Sequence, residues 1–513
     1  MARRFIVGLS LFWFSLVVAW SLMTVKEINM LTGKSGFSMT NLTKQLHSQM
    51  LGNFWHKDEF IDINGGWARL LDQRMCNGAL KLNNGYITRV MSRTKVDAAA
   101  SKMNVLASLC RRIGTECLFV MFPSKIDAEK SLLPTGGPLD FSNENADAFL
   151  RRLTGADVVD TRKIISATAD DVTRHYFKTD HHWNFEGAFK AFQVIAVKML
   201  SMLGENGDRG SLPQLDEKNW DKVVLGRPFL GSVGRRTGCW FAGRDEGVSY
   251  LLPRFDTELS IMIPRHQMFR HGSFRNAWIF WENLVAPVSW QQDRGYSVYG
   301  SDFPEMFIYN SCAPVKKRVL IIKDSFAIPV YAFLSTIFSE ITVFDLRHNV
   351  GVNVGNYIQS FKPHLISVMY GPGLLRDGPV FNFGDCTPKK ATKDKKIRQL
   401  RISAKLSSYN CATLCGALKP GSHINCTVRE INITDGNAQI ATIALYERTR
   451  KKIIAAHYLE FGRGVPQTFC ADVPDVDGRY QLVVFAGERG KTAGNAVVLQ
   501  GVTMEYLEPL PKE

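Results

Sequence analysis

The sequence predicts an α/β protein: a mainly parallel sheet flanked by helices, with an N-terminal transmembrane helix before it and a C-terminal β-sandwich after it. Three observations carry this expectation. Short apolar runs alternate with helix-like stretches, once from Thr94 to Leu200 and again from Arg318 to Tyr370. The chain opens on an uncharged apolar run, and it closes on strand-like segments separated by turns containing glycine and aspartate.

The opening run extends from Phe5 to Val25, behind Arg3 and Arg4 and ahead of Lys26 and Glu27. A helix of roughly 20 apolar residues crosses a bilayer, and arginines before it favour a cytoplasmic N-terminus. The alternative is a cleaved signal peptide, but Met23, Val25 and Lys26 form no small-x-small cleavage site. Residues 1–25 are therefore expected to be a single-pass membrane anchor, with residues 26–50 as a polar stalk. The body would then lie on the periplasmic or extracellular side.

Residues 51–388 read as the α/β body. Thr94 to Arg112 has helical apolar spacing, and Cys117 to Phe122 reads as a buried strand ended by Pro123. Val158-Val159-Asp160 starts the next unit, and Phe185 to Leu200 is a helix. The stretch near 202–310 is less periodic and reads as an insertion or cap, with Trp220, Trp240, Trp278, Trp281 and Trp290 looking exposed. Order returns with the strand before Ser325, a helix over Val330 to Phe338, a strand at Ile341 to Phe344, a helix over Val354 to Gln359 and a strand at Leu365 to Tyr370. Asn64-Gly65-Gly66-Trp67 and Asn83-Asn84-Gly85-Tyr86 read as turns beside aromatic rings.

A basic linker is expected at 389–400, and 401–513 as a β-sandwich built on strands at Gln439 to Tyr446, Tyr480 to Phe485 and Ala496 to Met504. The net charge of +15 over 513 residues suits an anionic polymer or lipid surface as readily as nucleic acid, and the export signal argues against nucleic acid. The ten cysteines show no CxxC spacing. A disulfide or two among those near the C-terminus is compatible with export.

Two segments carry chemistry. Lys178-Thr179-Asp180-His181-His182-Trp183 places an acid two residues before a histidine, and about 140 residues later Ser325 follows an apolar run and a short turn. A serine hydroxyl is a weak nucleophile until a base takes its proton, and a carboxylate fixes the tautomer of that base. If the 178–183 segment is extended, Asp180 and His182 share a face and His181 points away. The bland alternative is that Asp324 or Ser325 caps the following helix. A metal at His181 and His182 lacks a third ligand.

The Thr-Asp-x-His-Trp pattern at 179–183, the later Lys323-Asp324-Ser325-Phe326, the opening apolar run and the terminal β-rich region together resemble the alginate O-acetyltransferase proteins of the SGNH-like superfamily. Within it, they resemble the Asp-His-His-Trp group of bacterial extracytoplasmic proteins in particular. The resemblance covers about 60–200 and 315–375. It implies an SGNH-like fold, with Asp180 as orienting acid, His182 as base and Ser325 as nucleophile, and acetyl transfer to a polysaccharide hydroxyl. Pro123-Ser124-Lys125 resembles the family's Val-Pro-x-Lys strand end, which puts Lys125 beside the substrate. Tyr370 and Arg376 are further substrate-binding candidates, and the Ser325 N–H is the first choice of oxyanion donor. The implied partners are a bacterial polysaccharide acceptor, which the terminal domain could hold, and a multipass membrane O-acyltransferase supplying acetyl. No coenzyme motif is present, and no cofactor is expected. An acetyl esterase would use the same three residues, and a noncatalytic glycan-binding scaffold would keep the fold without them.

Overall fold

The computed structural model describes residues 57–384, apart from 208–211, 264–265, 267, 288 and 350–353, together with most of 397–507. Eight strands form the main sheet. In chain order they are β1 (Glu116–Met121), β2 (Asp157–Asp160), β3 (Leu259–Ile263), β4 (Met268–Gly272), β5 (Glu305–Asn310), β6 (Val315–Lys323), β7 (Phe338–Phe344) and β8 (Leu365–Tyr370). They lie in the order β2-β1-β8-β6-β7-β5-β3-β4. Neighbours from β2 to β7 are parallel, and those from β7 to β4 are antiparallel.

The parallel strands are apolar on both faces because helices cover both, and side chains alternate between the two. Four helices do most of this: α1 (Asp97–Ile113), α2 (Phe185–Met202), α3 (Ala327–Leu334) and α4 (Val354–Phe361). Leu118, Val120, Val319 and Ile321 pack with Phe189 and Phe192 of α2 and Phe333 of α3. The alternate residues Phe119, Met121, Leu320 and Ile322 pack with Met103 and Leu106 of α1 and Tyr357 of α4. Helix α1 stops at Gly114, whose left-handed φ of 69° returns its N–H to Arg111 and Cys110 carbonyls before β1 begins.

Beyond residue 397 the strands are antiparallel. One four-stranded sheet contains Ala412–Leu418, Tyr480–Ala486, Ile440–Glu447 and Lys452–Glu460. A second contains Ile397–Arg398, Thr503–Leu507, His423–Val428 and Gln467–Asp472. Leu414, Leu445 and Leu482 of the first share a core with Ile424, Val428 and Phe469 of the second.

Several expectations are corrected. No helix among the described residues is long and apolar enough to cross a membrane. The expectation of a transmembrane helix, and with it the single-pass membrane location and the multipass membrane partner, therefore has no structural support. Residues 1–50, on which it rested, lie outside the described residues, as does most of 389–400. Asn64 to Trp67 is helical, within Lys57–Leu70, and not a turn. Gly65 serves close packing there, since a Cβ would sit 2.1 Å from the Thr237 carbonyl oxygen. Trp220 and Trp278 are core residues, while Trp240 and Trp281 are exposed. Part of the less periodic stretch extends the main sheet as β3 and β4, and β5 follows them. Among the described side chains Cys76, Cys110, Cys117, Cys312 and Cys415 are free thiols.

Candidate active site

The site lies at the C-terminal ends of β1, β8 and β6, three adjacent strands, where ligands gather in open parallel sheets. The chain leaves β6 at Lys323, turns through Asp324 and Ser325, and enters α3 at Ala327. Asp324 fixes this turn. Its Oδ1 accepts the Phe326 N–H at 3.0 Å and its Oδ2 the Gly371 N–H at 2.7 Å, just past β8. Burial raises the Asp324 carboxyl pKa, against the opposing pull of Arg347 and of these two N–H groups. Lys323 is fully buried and bonds Asp302 at 2.8 Å and Asp345 at 2.9 Å. Asp345 follows β7, so this ion pair ties two neighbouring strand ends together.

Asp180 and His182 come together through an Asx-type turn and not through an extended strand. Asp180 Oδ1 accepts the His182 backbone N–H at 3.0 Å and the His182 Nδ1–H at 2.6 Å. A carboxylate can only accept, so Nδ1 carries the proton and Nε2 is left basic. His182 Nε2 lies 2.8 Å from Ser325 Oγ. All three side chains are buried. Burial alone would raise the Asp180 carboxyl, but His182, His181 and the Ser232 N–H hold it well below the usual carboxylate range. The Ser232 N–H donates to Asp180 Oδ2 at 2.6 Å, so both carboxylate oxygens are engaged.

Aromatic rings fix the imidazole from the side. Tyr296 stacks on His182 with centroids 3.8 Å apart and planes 4° from parallel, and its hydroxyl donates to the Ser325 carbonyl at 3.0 Å. The Trp183 indole N–H donates to the Phe326 carbonyl at 3.1 Å, linking the histidine loop to the serine turn. Asn184 then caps α2, accepting the Gly187 N–H at 2.9 Å. A cleft of about 110 Å³ opens on these groups, lined also by Ser232, Arg235, Asp293, Arg294, Ser301 and Asp302. The Ser325 N–H makes no hydrogen bond among the described residues.

The other expected site residues are placed differently. Lys125 is 1% exposed and lies outside the cleft lining, where its Nζ donates to backbone carbonyls behind the histidine loop. Tyr370 is fully buried at the end of β8, and its hydroxyl donates to the Val380 carbonyl at 2.7 Å. Arg376 is exposed, and neither it nor Tyr370 lines the cleft. Tyr296, Ser232, Gly231 and Asp302, which do surround the site, come from the least periodic part of the sequence. Its one visible signal is Leu230-Gly231-Ser232-Val233-Gly234, where close glycines mark a backbone approach. A Cβ on Gly231 would lie 2.4 Å from the Asp180 nitrogen.

Residues 84–211 match the family described as SGNH hydrolase-like domain, acetyltransferase AlgX. No curated protein matches the chain. The solved structure of Bacillus cereus PatB1 is similar at 22% identity and a TM-score of 0.51, over 60% of this chain and 99% of that one. PatB1 with a sulfonyl adduct matches at 21% identity and a TM-score of 0.49, over 60% and 99%. A DHHW family protein from Eubacterium siraeum matches at 16% identity and a TM-score of 0.46, over 60% and 95%. The α/β body has an SGNH hydrolase-like fold. At 22% identity the likeness to PatB1 at a TM-score of 0.51 speaks for fold alone, and function is argued from the site.

Proposed function

We propose that this protein is a polysaccharide O-acetyltransferase that works through an acetyl-serine at Ser325. The observation that carries the reading is the unbroken line from Asp180 through His182 to Ser325, at 2.6 and 2.8 Å, opening on a cleft. The family match over residues 84–211, to a domain described as an acetyltransferase, supports the same reaction class.

In the first half-reaction Ser325 Oγ attacks the carbonyl carbon of an acetyl ester while its proton passes to His182 Nε2. The resulting oxyanion faces the Ser325 N–H, whose hydrogen-bonding capacity is unspent. Collapse expels the donor's alcohol, which takes the proton from His182 and leaves acetyl on Ser325. In the second half-reaction a sugar hydroxyl gives its proton to His182 as its oxygen attacks the acetyl-serine. Collapse then returns that proton to Ser325 Oγ. Asp180 stays ionised throughout and stabilises the imidazolium.

The cleft chemistry favours a hydroxyl-rich acceptor over an apolar one. Serine hydroxyls, two arginines and three aspartates dominate its lining, and Phe229, Tyr296 and Ile328 are the apolar exceptions. The test is to incubate the full chain with a chromogenic acetyl ester and candidate oligosaccharides, following free acetate and acetylated sugar by mass spectrometry. Wild type should acetylate sugar and Ser325→Ala should not. Serine-dependent acetate release that no sugar diverts would make the protein an esterase, and identical traces for the two proteins would sink the nucleophile.

A further inference from the structure

The segment from Phe177 to His182 carries the base and its acid, yet it belongs to no helix and no named strand. A buried irregular segment leaves its backbone N–H and C=O groups without ladder partners, and each unpaired one is costly. The Gly234 N–H donates to the Thr179 carbonyl at 2.8 Å and the Ile87 N–H to that of Lys178 at 3.0 Å, and two charged side chains from distant parts of the chain take up most of the others. Lys125 Nζ donates to the carbonyls of Phe177 at 2.6 Å, Lys178 at 3.4 Å and Asp180, and also to Ile87 at 2.9 Å on the neighbouring short strand. On the other side the Glu246 carboxylate accepts the Lys178 N–H, the Thr179 N–H at 3.0 Å and the Thr179 hydroxyl at 2.8 Å.

The arrangement is a cation gathering the carbonyls and an anion gathering the N–H groups of one loop. Among the described residues Lys125 has no carboxylate within ion-pair distance, so its charge is spent on backbone dipoles. We propose that Lys125 and Glu246 are positioning residues that clamp the 177–182 loop from opposite sides and thereby hold Asp180 and His182 in line with Ser325. This rests on the reading of Ser325 as the nucleophile, and it replaces the sequence-based expectation that Lys125 touches substrate. Asp180 contributes its carbonyl to the lysine and its carboxylate to His182. A shift of the loop at Lys125 is therefore transmitted within one residue to the acid.

The clamp carries its own pH signature. Burial pushes the Lys125 ammonium down to about 8, while Glu246 and Asp180 pull it back up. His181 also feels its charge, and the rings of Tyr86 and Tyr176 lie 5.7 and 5.9 Å from Nζ. An ammonium has three N–H donors, whereas a neutral amine has two and turns a lone pair toward carbonyl oxygens. Loss of the Lys125 proton therefore opens the clamp on the alkaline side.

The test reads Ser325 alone, without donor or acceptor. Phenylmethylsulfonyl fluoride sulfonylates an activated serine: Oγ displaces fluoride and the proton goes to the base. Its rate at Ser325, measured by intact mass between about pH 6 and pH 10, reports how well His182 is aligned. Lys125→Met should slow labelling about 100-fold, the loss expected from ångström-scale misplacement of a reacting group. Glu246→Gln should slow it about tenfold, in line with weakening hydrogen bonds to a charged group. The wild-type rate should fall above about pH 8, and that fall should be absent in Lys125→Met; a merely structural lysine would leave the shape of the profile unchanged. If Lys125→Met fails to fold, Glu246→Gln and the wild-type profile decide the matter. A labelled wild type with neither an alkaline fall nor a slowed Glu246→Gln overturns the clamp alone. A wild type unlabelled at Ser325 overturns the nucleophile reading and the clamp with it.

Discussion

Ser325 and His182 meet at 2.8 Å but are brought there by different means. Ser325 sits one turn beyond a central parallel strand, and the sheet places it: β6 pairs with β7 on one side and β8 on the other. His182 sits on an irregular loop whose geometry is borrowed from groups elsewhere in the chain, namely the side chains of Lys125, Glu246 and Tyr296 and the backbone N–H of Ser232. On the proposed reading, the comparison teaches that a nucleophile can be positioned by regular secondary structure at no special cost, while its base is positioned by polar groups far away in sequence. Damage to the site should therefore fall more heavily on rate when it touches the loop, and more heavily on stability when it touches the strand ends.

The largest expected effect lies on the loop. Asp180→Asn keeps the shape but can present an amide to His182 Nδ1, reversing the tautomer. Acetyl transfer should fall by about four orders of magnitude, as in the serine-protease precedent for this substitution. The thermal midpoint should move little by comparison. A modest rate loss would mean that the carboxylate does not orient the base.

The strand-side counterpart is Lys323→Met, which removes a buried cation from between Asp302 and Asp345. Its loss leaves the two carboxylates to share Arg347 alone and should cost about 3 kcal/mol of stability, read from denaturant unfolding. The pH dependence has a definite sign. Burial would raise the Asp345 carboxyl, but Lys323 and Arg347 hold it below its ordinary value. A depressed carboxylate contributes stability that is complete above its unfolded pKa, about 3.9, and is lost as pH falls through its lower folded pKa. The difference between wild type and Lys323→Met should thus narrow on acidification. A constant difference would place the effect in packing and not in charge.

The same contrast decides what was legible in the sequence. The strand at Leu365–Tyr370 and the helix beginning at Phe185 were readable because their apolar patterns reflect burial that the local chain itself displays. Ser325 was readable for the same reason, as the residue after such a run. Asp180 and His182 were readable through their spacing, although an Asx-type turn and not strand alternation brings them together. Tyr296 and Ser232 were not readable, because their contacts to His182 and Asp180 are set by tertiary folding of a stretch without period. Tyr370 was expected to bind substrate, yet it is buried with its hydroxyl on the Val380 carbonyl and lies outside the cleft lining. Its place at a strand end facing the sheet core, against Phe381, shows why an apolar run should have taken precedence.

Gly231 sharpens the contrast further, because it is a loop-side partner with no side chain at all. Its hypothetical Cβ would lie 2.3 Å from the Asp180 Cβ and 2.4 Å from its backbone nitrogen, closer than non-bonded atoms approach. In Gly231→Ala something must move, and the nearest thing is the acid. Transfer should drop about 100-fold, the scale expected for an ångström-sized displacement of a catalytic group. A variant with normal turnover would show that the 230–234 segment can retreat without carrying Asp180 along.

The smallest expected effect lies where the two regions touch. Tyr296 stacks on the His182 ring and donates its hydroxyl to the Ser325 carbonyl, so it belongs to both. Tyr296→Phe keeps the stack and removes one hydrogen bond, whose net worth is about 1 kcal/mol. Stability should fall by about that amount and transfer by less than about tenfold. Burial first, and then the nearby Asp180, Asp302 and Asp324, hold the hydroxyl's pKa well above the ordinary tyrosine value, so it stays protonated as a donor to the Ser325 carbonyl. If Tyr296→Phe instead lost as much activity as Asp180→Asn, the hydroxyl would have to touch the reacting atoms. The division between a sheet-placed nucleophile and a loop-placed base would then give way to a site in which the covering segment takes part in the chemistry.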